Sequence, residues 1–280
     1  MIVNHDLHIH TFLSRCGKPD ATIENYLNYA PQLGIKILGF TDHLWDDTYC
    51  GWDRIYEGEN KTVPFYKGQN VEHVLQSREI ASKLDELSIR VYVGAEVEYD
   101  YNRHDMAITE ENAKKFDYLI FPNSHTHMVM PKDYYKDKRK HIEFMKMAFM
   151  DIMDSPMRKY VLSMAHPFCA VCCPYGYEEM LGMITDEEYK ACYGACAENG
   201  IAVEINLSKF RKYSVNDILK SNNIRQFKIA KRCGCKFTFG SDAHTIEHLN
   251  NFKDFYVVAE AIGLKEEDIS PKVKEMMDNR

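Results

Sequence analysis

Asp6-Leu7-His8-Ile9-His10 follows the short apolar run Ile2-Val3 near the start of the chain. Side chains alternate along a β-strand, so both imidazoles of this segment would point to the same side. An isolated His-x-His is weak evidence for a metal site, because buried histidines often only satisfy hydrogen bonds. Its importance here comes from six further segments in which a strand-like apolar run ends at polar side chains.

These runs recur along the whole chain and, with the first, predict seven strands. The six runs and the polar residues that follow them are 37–40 with Thr41-Asp42-His43, 91–95 with Glu96, 118–121 with Asn123-Ser124-His125-Thr126-His127, 160–165 with His166, 201–203 with Glu204-Ile205-Asn206, and 237–241 with Asp242-Ala243-His244. In six of the seven segments the first or second polar group can bind a metal. In barrels of parallel strands the reacting groups gather at the C-terminal strand ends. The pattern therefore predicts one active site with several metal ions.

Segments with helical spacing lie between the strand-like runs. They include residues 22–33, 71–87, 185–199 and 217–232. Thr22 and Thr185 are candidate N-caps, and Gly34 and Gly200 are candidate stops. The βα alternation predicts parallel strands with helices outside them, in a seven-stranded barrel-like α/β domain.

Residues 1–280 are expected to form one domain, because no Gly-, Pro- or Ser-rich linker and no repeat divides them. Residues 45–69 carry several aromatic side chains without clear periodicity, which predicts a long loop over the barrel mouth. Long loops in compact domains are often functional, so one interpretation is a lid that contacts the substrate. The alternative is a loop that only packs on the surface.

Composition and charge exclude several classes of protein. The chain is 45% hydrophobic and 28% charged, which is ordinary for a globular protein, and its formal net charge of -7 disfavours a general nucleic-acid binder. No apolar run is long enough to predict a membrane span, and the first residues lack the pattern of a secretory signal. Nine cysteines without a signal fit a reducing compartment. We expect a cytoplasmic protein without a membrane partner.

The motifs resemble the polymerase and histidinol phosphatase, or PHP, metal-dependent phosphoesterases over nearly the whole chain. The similarity rests on Asp6-Leu7-His8-Ile9-His10-Thr11, Thr41-Asp42-His43, Gly94-Ala95-Glu96, Ser124-His125, His166-Pro167 and Gly240-Ser241-Asp242-Ala243-His244, in that order. Within the family, residues 94–99, 117–125 and 204–206 are most similar to the histidinol-phosphate phosphatase branch. The resemblance implies a distorted (β/α)7 TIM-like barrel.

The resemblance also implies two or three divalent ions, which would be zinc, manganese or iron. The implied ligands are His8, His10, Glu96 and Asp242 for one ion, Glu96, His125 and His166 for a second, and His43 and His244 for a third. Cys16 stands where the family usually has another His or Asp. Because cysteine is a soft ligand that favours zinc over manganese, the third site is either tuned to zinc or weakly occupied.

The activity that the resemblance implies is hydrolysis of a small-molecule phosphomonoester, with L-histidinol phosphate as the best single substrate. Carboxylate-bridged ions can lower the pKa of a shared water and present hydroxide to the phosphorus. Asp242, as one of the implied ligands, is a candidate catalytic residue. Arg211 lies just beyond a strand end and could bind two phosphate oxygens, with Lys209 as a second candidate. His127 would face the same side as His125 if the strand continues, and could protonate the leaving alkoxide.

Two other functions stay open. One is a nucleotide or oligonucleotide phosphoesterase, although the acidic charge disfavours long nucleic acid as a partner. The other is a non-catalytic metal-binding scaffold, which the near-complete ligand set disfavours. A separate zinc cluster of Cys169-x-x-Cys172-Cys173 with Cys233-x-Cys235 is also disfavoured, because the second pair has the wrong spacing.

Overall fold

The computed structural model describes residues 3–49, 62–84, 89–208 and 210–278, in which strands and helices alternate. The strands are β1 His5–Ile9, β2 Ile37–Phe40, β3 His43–Leu44, β4 Arg90–Val93, β5 Ala95–Val97, β6 Tyr99–Asp100, β7 Asp105–Met106, β8 Leu119–Pro122, β9 Val161–Ala165, β10 Ala202–Asn206 and β11 Phe237–Gly240. The α-helices are α1 Ile23–Tyr29, α2 Thr62–Tyr66, α3 Val71–Ser82, α4 Glu110–Ala113, α5 Thr126–Val129, α6 Lys132–Tyr135, α7 Lys138–Asp154, α8 Tyr177–Met183, α9 Asp186–Glu198, α10 Val215–Lys220, α11 Asn222–Arg232, α12 Asp254–Ile262 and α13 Pro271–Asp278. Short 3-10 helices cover Ala30–Leu33, Pro156–Tyr160, Ile246–Asn251 and Glu266–Asp268. No helix in these ranges combines the length and apolarity needed to cross a membrane.

The parallel strands form a distorted barrel with seven strand positions. β1 pairs with β2 and β2 with β4, while β3, β5, β8, β9, β10 and β11 pair in that order. β3 continues the path of β2, and β5 continues the path of β4. Hydrogen bonds from Gly94 N to Phe40 O (2.9 Å) and from Glu96 N to Asp42 O (3.2 Å) carry the pairing across both interruptions. The TIM-like (β/α)7 fold predicted from the sequence is confirmed.

The barrel closes at a seam between β1 and β11, where side chains assist the backbone. Asp242 N donates to His8 O at 2.8 Å. Below this point, Asp6 Oδ1 accepts from Ser241 N at 2.9 Å. His5 Nε2 accepts from Phe239 N at 3.1 Å. Because unpaired buried N–H groups are costly, these two polar side chains of β1 stand in for carbonyl oxygens that the strand ladder does not supply.

Two predicted helices are confirmed with their caps. Thr22 accepts from Asn25 N at the start of α1, and Gly34 ends the following 3-10 turn with a left-handed φ of 77°. Thr185 and Glu188 form a capping box at the start of α9.

Two other predicted helices differ from the structure. The helix expected over 71–87 ends at Ser82, and residues 85–88 lie outside the described ranges. The single helix expected over 217–232 is wrong, because Ser221 takes an extended conformation between α10 and α11. Asn222 N donates to Glu178 Oε2 at 2.7 Å, so this backbone group has a partner on α8 and the chain can turn.

The segment predicted as a lid, residues 45–69, is described only at its two ends, since residues 50–61 lie outside the described ranges. At the first end Trp45 is buried, and Asp46 accepts hydrogen bonds from Thr109 and Asn112. At the second end the chain is not an irregular loop but forms α2. The role of the segment as a lid stays a prediction.

The fully buried His5 should make folding stability sensitive to acid. Burial lowers its pKa to about 3, whereas an unfolded histidine titrates near 6.5. The unfolded chain therefore binds one more proton below about pH 6.5, and the stability that neutral His5 contributes is lost as the pH falls toward 3. We expect the stability advantage of the wild type over His5→Gln to shrink by up to about 1.4 kcal/mol per pH unit below pH 6.5.

Urea unfolding of both proteins at about pH 7, 6 and 5 measures this difference. Other titrating groups are shared by the two proteins and cancel in the comparison. An advantage that stays constant with pH would contradict the prediction.

Candidate metal centre

The strand ends meet at one mouth of the barrel and bring together nine candidate ligands. The set comprises His8, His10, Cys16, His43, Glu96, His125, His166, Asp242 and His244. Seven of the nine line a cavity of about 340 Å³. Cys16 and His244 are half-buried, and the other seven are buried. The structure thus places every side chain named as a ligand in one region, while their binding of metal stays a prediction.

Glu96 lies at the centre of this set. Its Oε1 atom is 3.0 Å from His166 Nε2 and 3.5 Å from His125 Nε2. Its Oε2 atom is 2.8 Å from His43 Nδ1 and 3.5 Å from His10 Nε2. One carboxylate therefore faces imidazoles from four strand ends, which is the position that a ligand bridging two ions requires.

His8, His10 and Asp242 form a group at the β1–β11 seam. The Nε2 atoms of the two histidines are 3.1 Å apart, so both rings point at the same region. Asp242 Oδ1 lies 3.8 Å from His8 Nε2 and 3.4 Å from His10 Nε2. The alternation of side chains along β1 accounts for this convergence.

Cys16 belongs to the outermost group, together with His10, His43 and His244. The ligand atoms of these four residues all lie within 4.8 Å of one another. The imidazoles of His43 and His244 lie close enough to the thiol to lower its pKa. Although Cys16 departs from the family pattern, its side chain still lies beside the histidines of this group.

Opposite charges inside the centre shift its pKa values. Although burial opposes ionisation, neighbouring histidines hold the pKa values of Glu96 and Asp242 well below their usual range. Burial disfavours imidazolium at His8, yet the surrounding carboxylates hold its pKa well above the usual value. The Cys16 thiol is likewise opposed by burial, but two histidines lower its pKa to about 6. In clusters of this kind a divalent cation competes with protons for the same ligand atoms.

Two carboxylates outside the ligand set orient the ligand imidazoles. His8 Nδ1 donates to Glu204 Oε1 at 2.8 Å, and His125 Nδ1 donates to Glu98 Oε2 at 3.0 Å. Glu204 Oε2 also accepts from His166 N at 2.6 Å. Such carboxylate–histidine pairs fix the ring orientation of metal ligands. The sequence alone did not reveal either role. The available signals were the position of Glu98, two residues after Glu96, and the position of Glu204 directly after a strand-like run.

Hydroxyl groups hold two further rings. His166 Nδ1 lies 2.6 Å from Ser124 Oγ, and His10 Nδ1 lies 3.2 Å from Ser14 Oγ. With one ring nitrogen of each histidine occupied in this way, the Nε2 atom is left to face the centre. Sequence reasoning also missed both serines, because a serine near a strand end carries no distinctive signal.

The backbone around the centre is tightly constrained. A Cβ atom on Gly240 would lie 1.8 Å from Glu204 Oε1, so only glycine leaves room for that carboxylate. Asp242 and His166 have positive φ angles of 54° and 28°, which non-glycine residues seldom adopt. Local strain of this kind is typical of functional sites.

Two buried ligand atoms test whether the site fits a metal. Among the described residues, His43 Nδ1 and Glu96 Oε2 have no hydrogen-bond partner, although they lie only 2.8 Å apart. Buried polar atoms without partners are rare because they are costly. Divalent cations bound at the neighbouring groups would satisfy both atoms, so the residues present fit a metal centre.

Arg211 and Ser208 line the same cavity. One guanidinium nitrogen, Nη2, donates to Ser241 O at 2.6 Å and to Asp242 O at 2.7 Å. Within the described ranges, Arg211 Nε and Ser208 Oγ are buried without a hydrogen-bond partner. Arg211 therefore brings a guanidinium group to the wall of the cavity that also contains the candidate ligands. Lys209, the second predicted cation, lies outside the described residues.

His127 lines the cavity, but not on a strand as the sequence suggested. β8 ends at Pro122, and His127 belongs to the short helix α5, so the condition that the strand continues is not met. Its ring centroid is 5.8 Å from that of His125. A role as general acid stays a prediction.

The remaining cysteines do not join a metal group in the part of the chain that the structure describes. Cys16 alone belongs to a candidate group there, and the cysteines of the alternative cluster, Cys169, Cys172, Cys173, Cys233 and Cys235, belong to none. The spacing argument against a separate zinc cluster agrees with this arrangement.

Known proteins share the sequence pattern and the fold. A probable phosphatase of Clostridium novyi (strain NT) is 22% identical over 262 residues, which cover 94% of this chain and 87% of that protein. The histidinol phosphate phosphatase of Lactococcus lactis subsp. lactis Il1403, solved in complex with zinc, L-histidinol and phosphate, has a TM-score of 0.62 at 16% identity and covers 93% of this chain and 94% of its own. The putative histidinol phosphatase of Listeria monocytogenes has a TM-score of 0.60 at 12% identity, covering 90% of this chain and 100% of its own. At these identities the solved structures show a common fold.

The family itself is shown by the sequence. The model of the PHP domain matches residues 6–208, which is well over half of the chain. The match begins at Asp6 in the first motif and includes Glu96 and His166, and the remaining motif, at Asp242, lies beside β1 at the seam. The chain belongs to the PHP domain family.

Proposed function

We propose that the protein hydrolyses a small-molecule phosphomonoester with the help of two or three divalent ions. The observation that carries this proposal is the position of Glu96 among imidazoles from four strand ends, in a cavity that also contains Arg211. Phosphate esters react so slowly without catalysis that a strong electrophile and a cationic clamp are needed. This cavity contains candidate ligands for the metal electrophile and, in Arg211, a candidate cationic clamp.

We keep the division of ligands that the family resemblance implies, in which two ions share Glu96. We assign His8, His10, Glu96 and Asp242 to one ion, Glu96, His125 and His166 to a second, and His43, His244 and Cys16 to a third. When bound, such ions would polarise phosphoryl oxygens and lower the pKa of a water that two of them share. Zinc, manganese and iron are the candidates, and the Lactococcus lactis structure contains zinc. The protein's own contribution is to hold the ligand rings at fixed positions through Glu98 and Glu204.

The phosphoryl group would be bound by Arg211 and Ser208. Hydrogen bonds from Arg211 Nη2 to two carbonyl oxygens hold the guanidinium beside the Asp242 backbone, so little side-chain freedom is lost on binding. Arg211 Nε and Ser208 Oγ then remain as donors for phosphate oxygens. A guanidinium suits this role because it binds two oxygens at once.

Replacing Arg211 with Ala is expected to lower kcat/KM by a factor of roughly 10 to 100, mainly by raising KM, since one charge-assisted hydrogen bond contributes about 1.5 to 3 kcal/mol. Steady-state kinetics on the best ester measures the effect. Arg225→Ala is the matched control, because Arg225 also donates to a backbone carbonyl, at Ile184, but away from the cavity. Equal KM values for the Arg211 variant and the wild type would contradict the clamp.

The leaving group would lie against the apolar part of the cavity wall. Phe65, Met128 and Val171 line the cavity beside His127. We assign His127 as the group that protonates the leaving alkoxide, since proton transfer to a leaving oxygen is a common role of histidine. Residues 45–69 would act as the lid over this side, because Phe65 of that segment already belongs to the wall.

L-histidinol phosphate is the first substrate to test. Two observations support it: membership of the PHP domain family and the shared fold with a phosphatase solved with L-histidinol and phosphate. The decisive experiment measures phosphate release from L-histidinol phosphate, other phosphomonoesters, nucleotides and a phosphodiester, after loading with zinc, manganese or iron. Asp242→Asn serves as the inactive control.

The same panel separates the two alternatives. Faster cleavage of nucleotides or of the phosphodiester than of any other ester would favour a nucleotide or oligonucleotide phosphoesterase. Full metal content without hydrolysis across the panel would favour a metal-binding scaffold and overturn the proposal.

A further inference from the structure

We propose that Cys16 turns the outermost group of the centre into a mixed thiolate–imidazole site that selects zinc over manganese. The inference rests on the proposed function only in requiring that the centre binds metal. Its basis is the placement of His10, Cys16, His43 and His244, whose ligand atoms all lie within 4.8 Å of one another. A cysteine whose sulfur lies within 4.8 Å of the ring nitrogens of His43 and His244 has the donor set of a zinc ligand and not that of a surface thiol.

The loop after β1 is built to hold Cys16 in place. Ser14 N donates to Thr11 O at 3.1 Å and Gly17 N donates to Ser14 O at 2.9 Å, which forms two successive turns around the cysteine. A Cβ atom on Gly17 would lie 2.0 Å from Thr11 O, so the turn requires glycine. Lys18 N then donates to His244 O at 2.8 Å. This last bond ties the loop directly to another member of the group.

The buried carboxylate of Asp42 holds the same loop through hydrogen bonds. Asp42 accepts from Thr11 N at 2.6 Å, Thr11 Oγ1 at 2.7 Å and Ser14 Oγ at 2.8 Å. Ser14 Oγ in turn accepts from His43 N at 3.1 Å. Hydrogen bonds between the Cys16 loop and the backbone groups of His43 and His244 therefore fix the thiol relative to these two histidines. A metal ligand needs this kind of preorganisation.

The donor types then set the preference between metals. Sulfur and imidazole ligands suit zinc, whereas manganese prefers carboxylate and water oxygens. On binding, the thiol of Cys16 loses its proton to solvent and the sulfur lone pair forms the bond to the ion, so no oxidant or reductant is involved. The groups around Glu96 and Asp242 contain oxygen ligands, so the preference should be confined to the outermost group.

Cobalt substitution of the full chain tests the sulfur bond directly. The protein is stripped of metal with a chelator and titrated with Co²⁺, and we expect an intense near-ultraviolet thiolate-to-cobalt charge-transfer band in the wild type. The band should disappear in Cys16→Ser, while the weaker visible bands of cobalt at the other groups persist. Cys172→Ser is the matched control, because Cys172 is exposed and lines the same cavity but belongs to no candidate group.

Metal competition tests the selectivity. The wild type and Cys16→Asp, which replaces sulfur with oxygen, are equilibrated with mixtures of Zn²⁺ and Mn²⁺, and the bound metals are counted by elemental analysis. Removing a residue that only supports a metal ligand typically lowers metal affinity about 10- to 100-fold. For one bound ion per chain, the ratio of Zn²⁺ to Mn²⁺ affinity should therefore fall at least about tenfold in the variant. Thermal unfolding of each variant shows whether it is folded.

Either of two results would overturn the proposal. One is a cobalt-loaded wild type without the charge-transfer band, or with a band that Cys172→Ser removes and Cys16→Ser does not. The other is an unchanged ratio of zinc to manganese in a folded Cys16→Asp variant. Neither measurement uses a substrate, so both can be interpreted even if the phosphatase assay shows no activity. The phosphatase assay can likewise be interpreted if Cys16 proves not to bind metal.

Discussion

Glu96→Gln is expected to lower kcat/KM by about 10³-fold and to reduce the amount of bound metal. The substitution keeps the size of the side chain but removes the negative charge that faces His43, His125 and His166 at 2.8, 3.5 and 3.0 Å. Metal ions contribute several kcal/mol of transition-state stabilisation, and about 4 kcal/mol corresponds to roughly 10³ in rate. Phosphate-release kinetics together with elemental analysis of the purified variant measures both effects.

A control for Glu96→Gln is Glu187→Gln, which makes the same chemical change on a side chain that is 81% exposed. Rates and metal content within about twofold of the wild type are expected for this control, since exposed ion pairs contribute little. Retention of full metal content by Glu96→Gln would show that Glu96 is not a bridging ligand.

Asp42→Ala is expected to lower the free energy of unfolding by about 3 to 5 kcal/mol. The change leaves Thr11 N, Thr11 Oγ1 and Ser14 Oγ buried without their acceptor. Each unsatisfied buried donor costs about 1 to 3 kcal/mol, and some relaxation of the loop offsets part of the sum. Equilibrium unfolding in urea measures the loss.

Asp47→Ala serves as the comparison for this second variant. Asp47 is exposed and accepts from Asn70 Nδ2 at 3.0 Å, so its removal should change stability by less than about 1 kcal/mol. If the two aspartate variants unfold at the same urea concentration, Asp42 does not anchor the loop as described.

The sequence was most informative about the strand ends. The alternation of side chains and the convergence of parallel strands at one mouth are enough to predict that His8, His10, Glu96, His166 and Asp242 lie close together. Both rules depend only on backbone geometry, which the apolar runs reveal. The fold and the general position of the candidate site were predictable for that reason.

The supporting contacts were not predictable in the same way. Whether Glu98 and Glu204 face the centre or a neighbouring helix depends on how each strand twists within the closed barrel, and the pattern of residues does not contain this information. His127 would share the side of His125 only if the strand continued, but α5 begins at Thr126 instead. The break at Ser221 depends on a carboxylate from α8, a contact between distant parts of the chain.

The seam between β1 and β11 has a consequence for biosynthesis. The hydrogen-bond partners of His5 and Asp6 lie more than 230 residues later in the chain. Asp242, which lies within 4 Å of His8 and His10, is equally distant in sequence. A nascent chain that has emerged from the ribosome only as far as β10 lacks Asp242 and His244 and has an open edge at its first strand. Because domains generally complete folding only when their elements are available, β11 and Asp242 have to emerge before the proposed centre can capture ions. Metal insertion into the proposed centre would therefore follow the synthesis of all seven strand positions of the barrel.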